Sequence, residues 1–141
     1  MLEIFDNICI LLAKTEQKHN QFTKDALAVE KLGITPVQMM VLYTLYKGDG
    51  ISISELGKKS YLDNSTLTGV IDRMETLGLV MRADVPGDRR AYNVVLTTKG
   101  SDLQPGISRV TDKVKQAMFQ GCRPEEVELF EKMLLRIFAN L

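Results

Sequence analysis

Apolar residues recur at spacings of three and four through most of the chain, and that period is broken once, between Gly78 and Leu96. Over residues 1 to about 32, Leu2, Phe5, Ile8 and Leu12 fall on one helical face, which predicts a long first helix. Thr35-Pro36-Val37-Gln38 is a helix start, with threonine as N-cap, proline at the first helical position and glutamine closing a capping box. The stretch VQMMVLYTLYK that follows is apolar nearly all round, so this second helix is mostly buried, and Gly48-Asp49-Gly50 ends it. Ser52-Ile53-Ser54-Glu55 is a second capping box, opening a short helix to about Lys59. The next helix runs from Asn64 to Leu77, capped by Asp63 or Asn64, with Leu67, Val70, Ile71 and Met74 as its apolar stripe. Gly78 stands where a left-handed C-terminal cap is expected.

After Gly78 the period becomes roughly two. Val80–Asp84 and Tyr92–Leu96 alternate as strands, and VPGDRRA between them supplies Pro-Gly turn chemistry, which predicts a hairpin with a long tip. Thr97 then caps another helix, broken or kinked near Gln104-Pro105-Gly106. From about Pro124, the residues Val127, Phe130, Leu134, Ile137 and Leu141 make a heptad-like seam, too short for a coiled coil.

This order predicts a mainly α fold with a small β-hairpin wing: a winged helix-turn-helix over about residues 35–100, flanked by helical segments 1–32 and 101–141. The length of 141 residues suits one domain with a real core. No internal repeat, linker or low-complexity tract divides it. Hydrophobic content of 45% and charged content of 26% are ordinary globular values. No run approaches the ~18 apolar residues of a membrane span. The first residues, MLEIFDNICILLAKTEQK, place Glu3 and Asp6 ahead of the apolar stretch and read poorly as a signal peptide. Cys9 and Cys122 fit no CxxC spacing and no disulfide framework, so a reducing cytoplasm is the expected setting.

The net charge of zero excludes a protein that coats nucleic acid through a broad positive field. Any anion binding must rest on a few placed cations. Between Arg82 and Gly100, four basic residues (Arg82, Arg89, Arg90, Lys99) stand against Asp84 and Asp88. The outward face of the 64–77 helix carries Asn64, Ser65, Thr66, Thr68, Gly69 and Arg73, small and polar where a merely solvated face is richer in Glu and Lys. Arg73 has no acid three or four residues away to pair with. Small residues behind a helix N-terminus let the backbone approach phosphates and base edges in a major groove. Arginines at a hairpin tip can enter the adjacent minor groove, where narrow A·T-rich DNA attracts them.

The run YLDNSTLTGVIDRMETLGLVMRADVPGDRRAYNVVLTTKG resembles the DNA-binding core of the MarR family of bacterial transcription regulators. Its most specific part is the wing: Asp88-Arg89-Arg90 as D-x-R, then an alternating strand into Leu96-Thr97-Thr98-Lys99-Gly100. The resemblance covers residues 35–100 most strongly. It implies that Arg90 enters the minor groove, oriented by Asp88, and that Asn64, Ser65, Thr66, Thr68 and Arg73 face DNA, with Arg89 beside them. It also implies a homodimer through the first and last helices, giving Leu2, Phe5, Ile8, Phe130, Leu134 and Ile137 a partner. Two recognition helices and two wings would then read a pseudo-palindromic operator. Most relatives repress and are released by a ligand. An amphipathic or aromatic effector would lie between the dimer helices and the DNA-binding lobe, near His19, Phe22, Met39 and Tyr43.

Other readings rest on less. One branch of the family senses organic peroxides through a first-helix cysteine assisted by tyrosine hydroxyls. Here Cys9 has no tyrosine before Tyr43, and its place beside Phe5, Ile8 and Leu12 predicts a buried, inert thiol. His19 is the only histidine, and with two dispersed cysteines it builds no metal site, so no cofactor is expected. No catalytic motif is present, and Leu56-Gly57-Lys58-Lys59-Ser60 departs from a phosphate-binding loop at both its glycine and hydroxyl positions. A winged helix that binds a protein in place of DNA is the remaining rival, since it needs no positive charge.

Overall fold

The computed structural model describes residues 6–141. Helix α1 (Ile8–Val29) is capped by Asn7, whose side chain accepts the Cys9 amide at 2.9 Å. Only Thr23, Ala26 and Leu27 of α1 are buried. Ala26 and Leu27 pack with Val110 and Val114 of a later helix into a small second core, so the first half of α1 reaches beyond the domain's own packing. Helix α2 (Pro36–Tyr46) starts with the expected capping box. Thr35 Oγ1 accepts the Gln38 amide at 3.2 Å, and Gln38 Oε1 accepts the Thr35 amide at 3.0 Å.

The short helix α3 (Ile53–Ser60) makes only one arm of its capping box. Ser52 Oγ accepts the Glu55 amide, while the Glu55 carboxylate turns forward to Lys59 at 3.3 Å. Ahead of it Ile51–Ser52 forms strand β1, an element the apolar pattern does not announce. Helix α4 (Asn64–Thr76) follows a tight turn and buries Leu67, Val70, Ile71 and Met74, each at 3% exposure or less. These side chains join Val41, Leu42, Leu45, Leu56, Leu79, Val80, Val94 and Ile107 in the main core, which fixes α4 by its inner face and leaves its outer face free.

Strands β2 (Val80–Val85) and β3 (Asp88–Leu96) make the hairpin, and β1 pairs with the far edge of β3, giving the antiparallel order β1-β3-β2. The tip is shorter than the sequence predicts. Pro86 and Gly87 alone turn the chain, Gly87 taking φ +83°, and β3 resumes at Asp88. The extra length is absorbed within β3. Asp84 pairs with Tyr92 and Val85 with Asp88, so Arg89, Arg90 and Ala91 occupy an irregularity in the ladder. A bulge of this kind re-aims side chains near a functional edge.

Helix α5 (Thr98–Asp102) is separated from α6 (Gln104–Met118) by Leu103 alone. Pro105 sits in the first turn of α6, where its missing N–H breaks no bond, so the break lies just before the expected Gln104-Pro105-Gly106. Helix α7 (Pro124–Asn140) folds back toward α6 through Phe119 and Phe130, edge to face at 5.7 Å, and Lys115 to Glu131 at 3.7 Å. It contains no buried residue. No helix among the described residues is long and apolar enough to cross a membrane.

Candidate nucleic-acid interface

The N-terminus of α4 is organised by Asp63, the residue that caps it. Its carboxylate accepts the Thr66 amide at 2.8 Å, the Ser65 hydroxyl at 2.7 Å and the Thr66 hydroxyl at 2.9 Å. These donors, the Thr66 amide first, hold the Asp63 carboxyl down to about 2. Thr68 Oγ1 donates to the Asn64 carbonyl at 2.7 Å. The protons of all three hydroxyls are therefore engaged locally. What Ser65, Thr66 and Thr68 offer outward is oxygen lone pairs, suited to accepting from base amino groups. Because the folded carboxyl titrates below its ordinary value, its stabilisation of the helix start is complete above about pH 4 and is lost as pH falls through about 2. An NMR titration of the side-chain carboxyl is expected to place the Asp63 midpoint near 2, and a midpoint near 4 would contradict the three-donor cap.

Three exposed arginines, Arg73 in the last turn of α4 and Arg89 and Arg90 on the wing, stand without a counter-charge. The Arg73 guanidinium lies back over Gly69, 3.6 Å from where a Cβ would stand, so the glycine makes room for it. Arg89 and Arg90 are exposed on the wing. Among the described residues, no carboxylate comes within ion-pairing distance of any of the three. Asp72 and Glu75, the acids nearest Arg73 in sequence, turn to Arg82. Asp88 acts on the backbone: its Oδ1 accepts the Arg90 amide at 3.0 Å, a local turn that fixes the chain where the arginine leaves it.

The wing is held at its base by Thr97-Thr98-Lys99-Gly100. Thr97 Oγ1 donates to the Gly78 carbonyl at 2.6 Å and accepts the Gly100 amide at 3.0 Å. The Thr97 amide donates to Leu79 O at 3.1 Å, and Lys99 Nζ to Leu77 O at 2.8 Å. Tyr46 of α2 closes the clamp by donating its hydroxyl to Gly100 O at 2.7 Å, and burial pushes that hydroxyl up to about 12. Asp63, Arg82 and Lys99 thus hold the candidate interface together through bonds that the sequence pattern does not show. The capping position before a small-polar helix face was the one sequence signal for Asp63.

The residues expected around an effector are not gathered in one place. Met39 packs against both core clusters, whereas His19 and Phe22 are exposed on α1. Tyr43, under the Lys47 ammonium at 4.7 Å, opens onto a depression of about 690 Å³ lined by Met40, Thr44, Lys47, Lys58 and Tyr61. Cys9 is exposed, contrary to the burial its apolar neighbours predicted, because Ile8 and Leu12 are themselves uncovered in the single protomer. Ile8, Phe130, Leu134 and Ile137 are exposed as well, while Leu2 and Phe5 lie outside the described residues.

The sequence model of the MarR family matches residues 34–92, which span α2 to the middle of β3. The HTH-type transcriptional regulator YsmB of Bacillus subtilis is 34% identical over 109 residues, covering 77% of this chain and 75% of that protein. Among solved structures, a mutant MarR from E. coli complexed with operator DNA superposes with a TM-score of 0.82 at 27% identity, covering 90% of each chain. BpsR of Bordetella bronchiseptica, whose DNA binding is regulated by 6-hydroxynicotinic acid, matches with a TM-score of 0.85 at 25% identity, over all of this chain and 99% of that one. The capped helix α4, a hairpin carrying arginines with no ion-pair partner among the described residues and a clamp at the hairpin base all lie within one fold shared with these proteins, and the chain belongs to the MarR family of winged helix-turn-helix transcription regulators.

Proposed function

We propose that the chain acts as a homodimer on a pseudo-palindromic operator, repressing transcription until a small amphipathic or aromatic effector releases it. The observation that carries the DNA reading is the set Arg73, Arg89 and Arg90: three exposed cations, one on the outer face of α4 and two on the wing, with no ion-pair partner among the described residues, in a chain of zero net charge. Free surface cations are ordinarily scattered among acids. Here Asp72 and Glu75, the acids nearest Arg73, are held by Arg82, which leaves that arginine beside small polar side chains. Recognition would place α4 in the major groove and the wing in the neighbouring minor groove.

Support for the dimer comes from α7. Its apolar side chains Leu129, Phe130, Met133, Leu134, Ile137 and Phe138 are all at least 41% exposed in the protomer, a patch that water-soluble monomers rarely leave open. Support for an effector comes from BpsR and from the tyrosine- and lysine-lined depression beside α2 and α3. Selection of bound fragments from genomic DNA tests the operator reading. It should return two inverted half-sites about one helical turn, ~34 Å, apart. Recovery of no enriched sequence would favour a protein partner for the winged helix.

The aspartate of the wing gives a sharper test. Asp88→Ala removes a negative charge from the DNA-facing surface, which by Coulomb attraction alone should tighten binding. If the Asp88 turn aims Arg90, affinity should instead fall, by about 1 kcal/mol, the scale of one lost hydrogen bond. An Asp88→Ala protein that binds its operator more tightly in a titration would end that role.

A further inference from the structure

One cation near the interface is not free. Arg82 is on β2, and the alternation puts it on the same face as Val80, with Val94 opposite and Tyr92 diagonal on β3. At Val80 and Val94 that face is core. One pleat further out the core ends and Arg82 takes over the contact with α4. Its Nη2 bonds to Asp72 Oδ1 and its Nε lies 3.8 Å from Glu75 Oε1. Its guanidinium also lies over the Tyr92 ring, 4.6 Å from the centroid. Asp72 and Glu75, three residues apart, share one face of α4. A single side chain therefore ties the recognition helix to both strands of the wing, and a planar guanidinium can do all three things at once where an ammonium cannot.

From Arg82 to the turn at Pro86 the hairpin extends about 14 Å at ~3.4 Å per residue. A swing of about 15° at the base would carry the tip about 3.5 Å, more than half the ~6 Å width of a minor groove. Two-stranded ribbons twist readily, so that angle needs a lock. We propose that Arg82 is a positioning residue for DNA binding: it fixes the wing against the recognition helix so that Arg90 and the start of α4 reach their grooves together. This rests on the DNA-binding reading above.

The test uses the acids that hold Arg82. Asp72→Asn/Glu75→Gln removes two negative charges from a DNA-facing helix, so the electrostatic field alone would strengthen binding. The lock predicts the opposite, a loss of about tenfold in operator affinity, with helical circular dichroism unchanged and faster amide exchange over residues 80–96. Arg82→Gln should do the same. In either background Arg90→Ala should cost much less than in the wild type, because a misplaced wing no longer delivers that arginine. Wild-type binding that needs Arg90, combined with tighter binding by the double variant or with fully additive losses, overturns the lock alone. Wild-type binding indifferent to Arg90→Ala overturns the DNA reading itself, and the lock with it.

Discussion

Gly100→Ala is expected to lower the melting temperature by roughly 10 °C and to loosen the wing before the rest of the domain. A Cβ at this position would stand 2.1 Å from the Leu79 carbonyl oxygen and 3.1 Å from its carbon. Both are backbone atoms, so no rotamer change can relieve the overlap. That carbonyl also accepts the Thr97 amide, and Gly100's own carbonyl accepts the Tyr46 hydroxyl. Moving either strand of the clamp to make room therefore breaks a hydrogen bond that is partly shielded from water. Overpacking of this kind costs about 1–3 kcal/mol and occasionally more, and two strained bonds place Gly100→Ala at the upper end. For a chain of this length each kcal/mol shifts melting by about 3–4 °C. Thermal unfolding with hydrogen exchange on the wing checks both parts. A melting temperature within a degree or two of the wild type would mean that Gly100 does not pack against the Leu79 carbonyl as described.

Phe130→Glu combined with Leu134→Glu is expected to give a folded monomer that has lost most of its operator affinity. Neither residue belongs to the two core clusters, both are at least 41% exposed, and Phe130 meets Phe119 only edge to face, so the protomer should keep its helical content. In the proposed dimer both side chains go from exposed to covered, and each carboxylate would then be buried without a partner. The stable dimer interfaces of soluble proteins cover about 800 Å² per partner, which the apolar faces of α1 and α7 together could supply. With one recognition helix and one wing in place of two, the affinity should drop toward the non-specific level, by about three orders of magnitude or more. Sedimentation and binding on the same samples decide this. A double variant that remains dimeric would place the interface elsewhere; a monomer that binds as tightly as the wild type would remove the need for two-fold symmetry.

The strength of local signals decided what could be read from the sequence. Thr35-Pro36-Val37-Gln38 and Thr97 are caps, defined within four residues, and the structure makes both as expected. The stripe Leu67, Val70, Ile71, Met74 repeats through a whole helix and lands entirely in the core. Strand β1 escaped because two residues have no period; it exists only through pairing of Ile51 with Val94, forty-three positions away in sequence. The hairpin tip was overextended because VPGDRRA reads as loop chemistry. The ladder's register, a long-range property, returns Asp88–Ala91 to the strand as an irregularity. At the interface the exposed residue types were legible, but their bonding was not. That Asp63 collects the Ser65 and Thr66 hydroxyls, and that Asp72 and Glu75 belong to Arg82, follows from rotamers and from the packing of β2 beside α4. The expected burial of Cys9 rests on the hydrophobicity of its neighbours alone, which cannot tell a core from a face that awaits a partner.

The measurement that bears most directly on the DNA reading is a fluorescence-anisotropy titration of DNA from upstream of the protein's own gene, wild type beside Arg90→Ala, at several salt concentrations. The wild type should bind tightly with a steep salt dependence, and Arg90→Ala should lose about 1–3 kcal/mol on that DNA while changing little on a scrambled sequence. Equal, weak binding of both proteins to both DNAs would contradict recognition through the wing.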